Sequence, residues 1–462
     1  MVLDPSRAWQ PYRPDETNPW DIKKVGHLYR RAAFGANYRQ LDEGVAAGPE
    51  KSIASLLSGG PALEAFNRQM AEMTASLNLV TDEELRGWWI FRILQSPFPL
   101  EERMTLFWHN HFATSNAKVQ NLRYMLKQNE LIRRNALGSF RTMLEEMSKD
   151  PAMMVWLDTS LSKKGQANEN YARELMELFS LGIGHYTETD VREAARAFTG
   201  CEIRDGKFRL NTIEHDSGDK TFLSKRGSWG GDDIVRICLE QEAAPRFIAG
   251  KLFRFFISDT IDASHDLIDP LAAQLRTSDF DLRGAVEMIL RSNLFFSPEA
   301  YRSQVKSPVD FAVGIVRGLE GKVGAEPLSD ALEGLWQRLF SPPSVKGWNG
   351  GTQWINSNTL LLRNNLALAI TSTQDNRFGR RTDPVAVARK YGKKSDEEIV
   401  DFFIKLFLQD DLAADARSTL LDYLSTARKM AYPDYWSDQD REDHRIRAVC
   451  HLLLTQSEFQ LN

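Results

Sequence analysis

Apolar residues recur every three to four positions through most of this 462-residue chain, the spacing of helices that bury one stripe. The period predicts helices from Trp20 to Ala33, from Asn37 to Leu57 with a break at Gly48-Pro49, and from Ala62 into the seventies. Thr81-Asp82-Glu83-Glu84 offers a cap and first-turn acids to a helix running through Trp88–Leu94 and ending near Pro97 and Pro99. Further helical segments cover Leu100–Ala113, parts of Lys118–Met147 and, past the Asp150-Pro151 boundary, the stretch that follows Ala167.

From Cys201 to Asp233 the helical period disappears among Gly, Asp, Lys and Thr. Alternation over Glu202–Leu210, centred on Asp205-Gly206, predicts a β-hairpin there. A loop of this length inside a helical protein is more often functional than idle. Helices resume at Asp232 and continue over Ala244–Ser258, Leu282–Leu294 and Ser307–Leu319, the last with Ser307 as cap and Pro308 in its first turn. A second irregular patch, Ser341–Trp354, precedes a helix over Asn356–Thr371. Arg377–Tyr391 reads as a basic connector, and Ser395–Gln409, Asp415–Met430 and Asp438–Phe459 as closing amphipathic helices. The expected fold is therefore mainly α: a large multi-helix single unit with one or two small β-hairpins in the 201–233 and 341–355 regions. Residues 1–19 read as an N-terminal extension and 20–462 as one helical domain, with any subdivision falling near 201–233.

Composition narrows the function classes. A formal charge of −5 gives no electrostatic reason to expect nucleic acid. No run of 18 apolar residues predicts a membrane span, and Met1–Arg7 lacks the apolar core of a signal peptide, so cytoplasm is the default expectation. Cys201, Cys238 and Cys450 are too dispersed for a disulfide framework or a cysteine-rich zinc site.

Candidate chemistry centres on Asn168–Gly182. At about 100° per residue, Tyr171, Leu175, Leu178, Phe179 and Gly182 share one side of a helix. Glu169, Asn170, Arg173, Glu174 and Glu177 share the other. Glu174 and Glu177, three apart, suit one cation or a shared proton. The plainer alternative is a solvated face with a Glu169–Arg173–Glu177 ion-pair ladder. Asn168 has a reason to be there as a helix cap; Asn170 has none. No histidine follows any of these glutamates by three, so the Glu-x-x-His signature of di-iron bundles is absent.

His109 and His111 are the closest histidine pair. On a helix they diverge by about 200°, so one facing a site and one packed is the alternative to a shared metal ion. His215-Asp216-x-Gly-x-Lys220 sets a base, a carboxylate and a cation on one loop, suited to a metal or an anionic group, or to a turn shaped by Asp and Gly. Trp348 and Trp354, with amides between them, suit sugar stacking or packing under the loop.

Several motifs carry a family resemblance: Gly26–Gly35, Phe107–Phe112, Asn168–Gly182, Phe198-Thr199-Gly200, His215-Asp216 with Gly218 and Lys220, and Phe340–Trp348. In their order they resemble a bacterial family catalogued as domain of unknown function 1800, over about residue 20 to the C-terminus. The resemblance implies no activity; it implies a functional pairing with sulfatase-like proteins encoded nearby. The expectation is an enzyme, hydrolytic in class, with a polar pocket that takes a glycan or a sulfated or phosphorylated sugar. A divalent metal ion would be held by some of His109, His111, Glu174, His215 and Asp216. Glu169 or Glu177 would serve as base, Arg173 or Lys220 would neutralise an anion, and Asn170, Trp348 and Trp354 would contact substrate. The alternative is a non-catalytic helical scaffold or maturation partner of a sulfatase-like protein.

Overall fold

The computed structural model describes residues 5–261, 264–378, 381–428, 430 and 432–462. Its elements are helices with two small antiparallel ribbons, as the hydrophobic period predicts. The first half is laid out by helices Ile22–Ala33, Tyr38–Ser58, Leu63–Ser76, Asp82–Gln95, Pro99–His111 and Leu122–Asn135. Local chemistry sets their ends. Asp21 accepts the Lys24 amide, and Asn37 and Gln40 form a reciprocal capping box. Gly48, at φ 80°, kinks the Tyr38–Ser58 helix ahead of Pro49. Ser307 and Asp310 form another capping box behind Pro308, where a missing amide hydrogen costs nothing.

Cys201–Arg204 pairs with Lys207–Leu210 across Asp205-Gly206, both with positive φ, so the predicted hairpin is present. The second ribbon, Lys220–Phe222 with Lys225–Gly227, also lies inside 201–233. The 341–355 region holds no strand: its Gly, Pro and Trp residues form turns and a short 3-10 helix, Gly351–Trp354. Part of the Arg377–Tyr391 connector is a helix, Pro384–Lys390, capped by Asp383. Residues 379 and 380 of that connector lie outside the described residues. Among the described residues no helix is long and apolar enough to cross a membrane.

One hydrophobic cluster runs from Ala8 to Phe459, and a buried ionic knot crosses its first half. Glu102 is fully buried; it accepts Arg92 Nε at 2.6 Å, Arg133 Nε and Nη2 at 2.7 and 3.0 Å, and Trp89 Nε1 at 3.1 Å. Burial pushes this carboxyl up, but Arg133 and Arg92 outweigh burial and hold it low. The knot joins helices Asp82–Gln95, Pro99–His111 and Leu122–Asn135. Removing the carboxylate leaves two guanidinium groups without their partner in low dielectric. Glu102→Ala is expected to cost about 3–5 kcal/mol of unfolding free energy, measured by urea denaturation.

Candidate functional site

The rotation of the Pro99–His111 helix decides what each of its motif residues does. Glu102 and His109, seven apart, share one face. Both meet Trp89, which donates to Glu102 and packs edge-on against the His109 ring at 5.1 Å. Phe340 and Trp348 close the remaining sides of His109, and burial pulls its pKa down to about 3. His111 is buried on another face, among Trp108, Phe112, Phe140 and Phe179, where its Nε2–H donates to the Phe179 carbonyl at 3.2 Å. Both histidines are held neutral in apolar surroundings and point apart. Asn110, between them, faces a cavity.

That cavity, about 420 Å³, lies between this helix, the Ala243–Phe256 helix and the Ser341–Trp354 loop. Arg103, Leu106, Phe107 and Asn110, at helical spacing i, i+3, i+4, i+7, form one wall. Asn110 grips the loop opposite: its Oδ1 accepts the Trp348 amide at 2.7 Å and its Nδ2 donates to the Trp348 carbonyl at 3.4 Å. Gly347, at φ 80°, makes this approach possible; a Cβ there would stand 2.5 Å from the Asn110 carbonyl oxygen. Trp348 and Trp354 line the cavity while most of each ring is packed.

Its charge is unbalanced. Arg103, Lys251, Arg254 and Lys346 line it against Asp259 and Asp310, and Arg103 is already paired with Asp310. Among the described residues no carboxylate lies within 4.0 Å of Lys251, Arg254 or Lys346. Lys251 Nζ sits 5.1 Å from the Phe247 ring centroid. Burial, helped by the Arg254 charge, lowers its pKa to about 8. An unpaired, partly desolvated ammonium beside two more cations is what an anion replaces water around. A larger surface cavity of about 820 Å³ includes Arg338, which is already paired with Asp82 and Glu333.

The other sequence-predicted residues fall into two structural devices. Thr199 Oγ1 accepts the Asp216 amide at 2.7 Å, and its carbonyl accepts His215 Nδ1–H at 2.9 Å. Arg196 clamps the Asp216 carboxylate and holds its pKa at about 2. Lys220, 1% exposed, donates to the carbonyls of Asp216 and Gly218 at 2.6 and 3.0 Å. The His215–Lys220 loop is thus folded around its own lysine. Gly200, at φ 77°, admits no Cβ because the Asn211 carbonyl oxygen would be 2.5 Å away.

The Asn168–Gly182 stretch is a short helix, Asn170–Glu174, followed by a π-helical turn, Leu175–Ser180. Tyr171, Leu175 and Phe179 are buried as the period predicts. The wider turn shifts the register after Leu175, so Met176 is fully buried and Leu178 only half-buried. Asn168 Oδ1 accepts the Asn170 amide at 2.9 Å, and Asn170 Nδ2 donates to Asp158 at 3.3 Å. Arg173 bridges Glu169 and Glu188 on the surface, in place of a Glu169–Arg173–Glu177 ladder. Glu177 accepts the Tyr186 hydroxyl at 2.9 Å. Glu174 is half-buried; burial and Glu177 raise its carboxyl, while Lys346 of the cavity loop pulls it back. Among the described residues no three His, Cys, Asp or Glu side chains form a group that could hold a metal ion. The set His109, His111, Glu174, His215 and Asp216 is therefore not gathered into a metal site. Sequence spacing passed over Asn110, Lys251 and Arg254.

Fold and cavity together define a mainly helical protein with a cationic, tryptophan-walled pocket. The chain belongs to the family described as "Protein of unknown function (DUF1800)", which matches residues 27–461. No curated protein and no solved structure matches it.

Lys251 gives the site a pH signature. Its folded-state pKa, about 8, lies below the ordinary lysine value of 10.5, so the unfolded chain holds the extra proton between the two. Its burial therefore costs stability below pH 8, and that cost fades as pH rises toward 10.5. Lys251→Met is expected to raise unfolding free energy at pH 7 by up to about 3 kcal/mol, with a shrinking advantage in alkaline denaturation curves.

Proposed function

We propose that this protein binds an anionic saccharide, sulfated or phosphorylated, in the cavity between the Pro99–His111 helix, the Ala243–Phe256 helix and the Trp348 loop. The observation that carries the reading is the company the three unpaired cations keep. Lys251, Arg254 and Lys346 share one cavity with Trp348, Trp354 and Asn110. Cations that have no carboxylate within 4.0 Å among the described residues and that outnumber the cavity's acids call for an anion, and the small exposed parts of two buried indoles beside amides suit contact with a sugar ring. Its size fits a small-molecule site. The binding set needs no divalent ion.

Titration calorimetry with a sulfated disaccharide tests the reading. Lys346→Met and Arg254→Gln, both at exposed positions, should each weaken binding about tenfold or more, since each removes a charge-assisted hydrogen bond. His215→Gln should leave affinity unchanged, and so should a chelator. Equal affinity in all variants would remove the cavity from consideration.

A second reading, a scaffold for a sulfatase-like partner, is favoured by one observation. Leu361 and Leu368, seven apart on the Ser357–Thr371 helix, are 58% and 50% exposed. If that stripe is the contact, Leu361→Glu with Leu368→Glu abolishes copurification of the partner while Lys346→Met does not.

A further inference from the structure

A much smaller cavity shares Asp310 and Asn462 with the tryptophan-walled pocket but is built around different cations. Gly26 and Arg30 reach it from the Ile22–Ala33 helix, and Lys306 from the position before the Ser307 cap. Gln409, the left-handed C-cap of the Asp396–Leu408 helix, enters from a third side. Apolar side chains, Phe407 and Phe459 among them, close the rest. Its free volume is about 20 Å³, which suits one atom-sized guest and not a sulfate or a sugar.

The charge in this cavity is not balanced from within. Lys306 is 4% exposed and Arg30 5%, and among the described residues no carboxylate lies within 4.0 Å of either. Lys306 Nζ stands 3.6 Å from the Phe459 ring centroid and has no hydrogen-bond partner among those residues. Arg30 packs over the Tyr301 ring and gives one N–H to Gln409 Oε1, while its Nε and Nη2 are buried without partners. The neighbouring acids are already engaged, Asp310 by Arg103 and Asp411 by Lys23 and Arg302. Arg363 adds another buried guanidinium, which donates to the Lys306 carbonyl at 2.8 Å. Burial, with the charges of Arg30 and Arg302, pushes the Lys306 ammonium well below the usual lysine range.

The arrangement also depends on a glycine of the Gly26–Gly35 motif. A Cβ at Gly26, one turn before Arg30, would stand 2.3 Å from Gln409 Cγ. Its absence lets Gln409 cross the helix to meet the guanidinium. Desolvated cations held together in low dielectric call for a counter-charge among them. We infer that this cavity holds a single halide-sized anion, such as chloride, as the counter-ion of Lys306 and Arg30. The site stands apart from the saccharide reading of the larger pocket.

Thermal unfolding at fixed pH and ionic strength, in sodium chloride, sodium bromide or sodium gluconate, tests it. Wild-type protein should melt at least about 2 °C higher in either halide than in gluconate, because the anion binds only the folded state. Lys306→Met should lose about three-quarters or more of that shift, and should melt above wild type in gluconate, where the buried charge lacks its partner. Crystals grown in bromide should show an anomalous peak in contact with Lys306 Nζ and the Arg30 guanidinium, absent from the Met variant. Should Lys306→Met not fold, Arg30→Gln takes its place, with the same expected loss. Equal melting of wild type in halide and gluconate would overturn the inference, as would bromide crystals whose cavity holds water or nothing. A halide shift that survives substitution at Lys306 or Arg30 places the anion elsewhere and overturns it too. None of these outcomes bears on Lys346 or Arg254, so the saccharide reading stands or falls separately.

Discussion

Everything proposed for this chain depends on how the Pro99–His111 helix is turned, and the buried Glu102 carboxylate sets that turn. It is tied to Arg92 and Arg133 on two other helices and to the Trp89 indole. Such a charge tolerates no alternative orientation, because any rotation breaks ionic hydrogen bonds that water cannot replace. With Glu102 facing Trp89, His109 must follow it into the aromatic wall. Trp108 and His111 turn toward Phe140 and Phe179. Arg103, Phe107 and Asn110 are left to face the cavity. One buried ion pair network thus sorts a single motif into core, wall and site.

Pairing of charge separates structure from site elsewhere too. Asp216, Arg196 and Lys220 are saturated by each other and by backbone carbonyls. Arg173 is shared between two glutamates. The most conspicuous polar motifs are therefore the most self-satisfied, built to hold a loop or a helix end. Lys251 and Arg254, on one helix, and Lys346, on a loop distant in sequence, line one cavity with no carboxylate within 4.0 Å of any of them among the described residues. A group that folding leaves unsatisfied is better evidence of a ligand than one that folding satisfies.

Much of the fold was legible because helices advertise themselves through periodicity and caps, as at Asn37, Ser307 and Asp205-Gly206. The misses have physical causes. Ser341–Trp354 looked like a hairpin because glycine punctuates both ribbons and irregular turns. A π-turn has no sequence period of its own, so the register shift after Leu175 was invisible. The Trp348 and Trp354 platform was visible as residue type, and both do line the cavity. His109 and His111 drew attention by chemistry, while Asn110 carried the geometry; reading Arg103, Phe107 and Asn110 as one stripe would have found it. Lys251 and Arg254 had no local signal, since a lysine and an arginine on an amphipathic helix look like any wet surface.

The most direct test is anomalous diffraction from crystals of this protein soaked in selenate, a sulfate mimic that scatters at the selenium edge. The account predicts a peak inside the cavity within hydrogen-bonding reach of Lys251, Arg254 and Lys346, lost in crystals of Lys346→Met with Arg254→Gln. Selenate bound only elsewhere on the surface, with the cavity empty at saturating concentration, would contradict it.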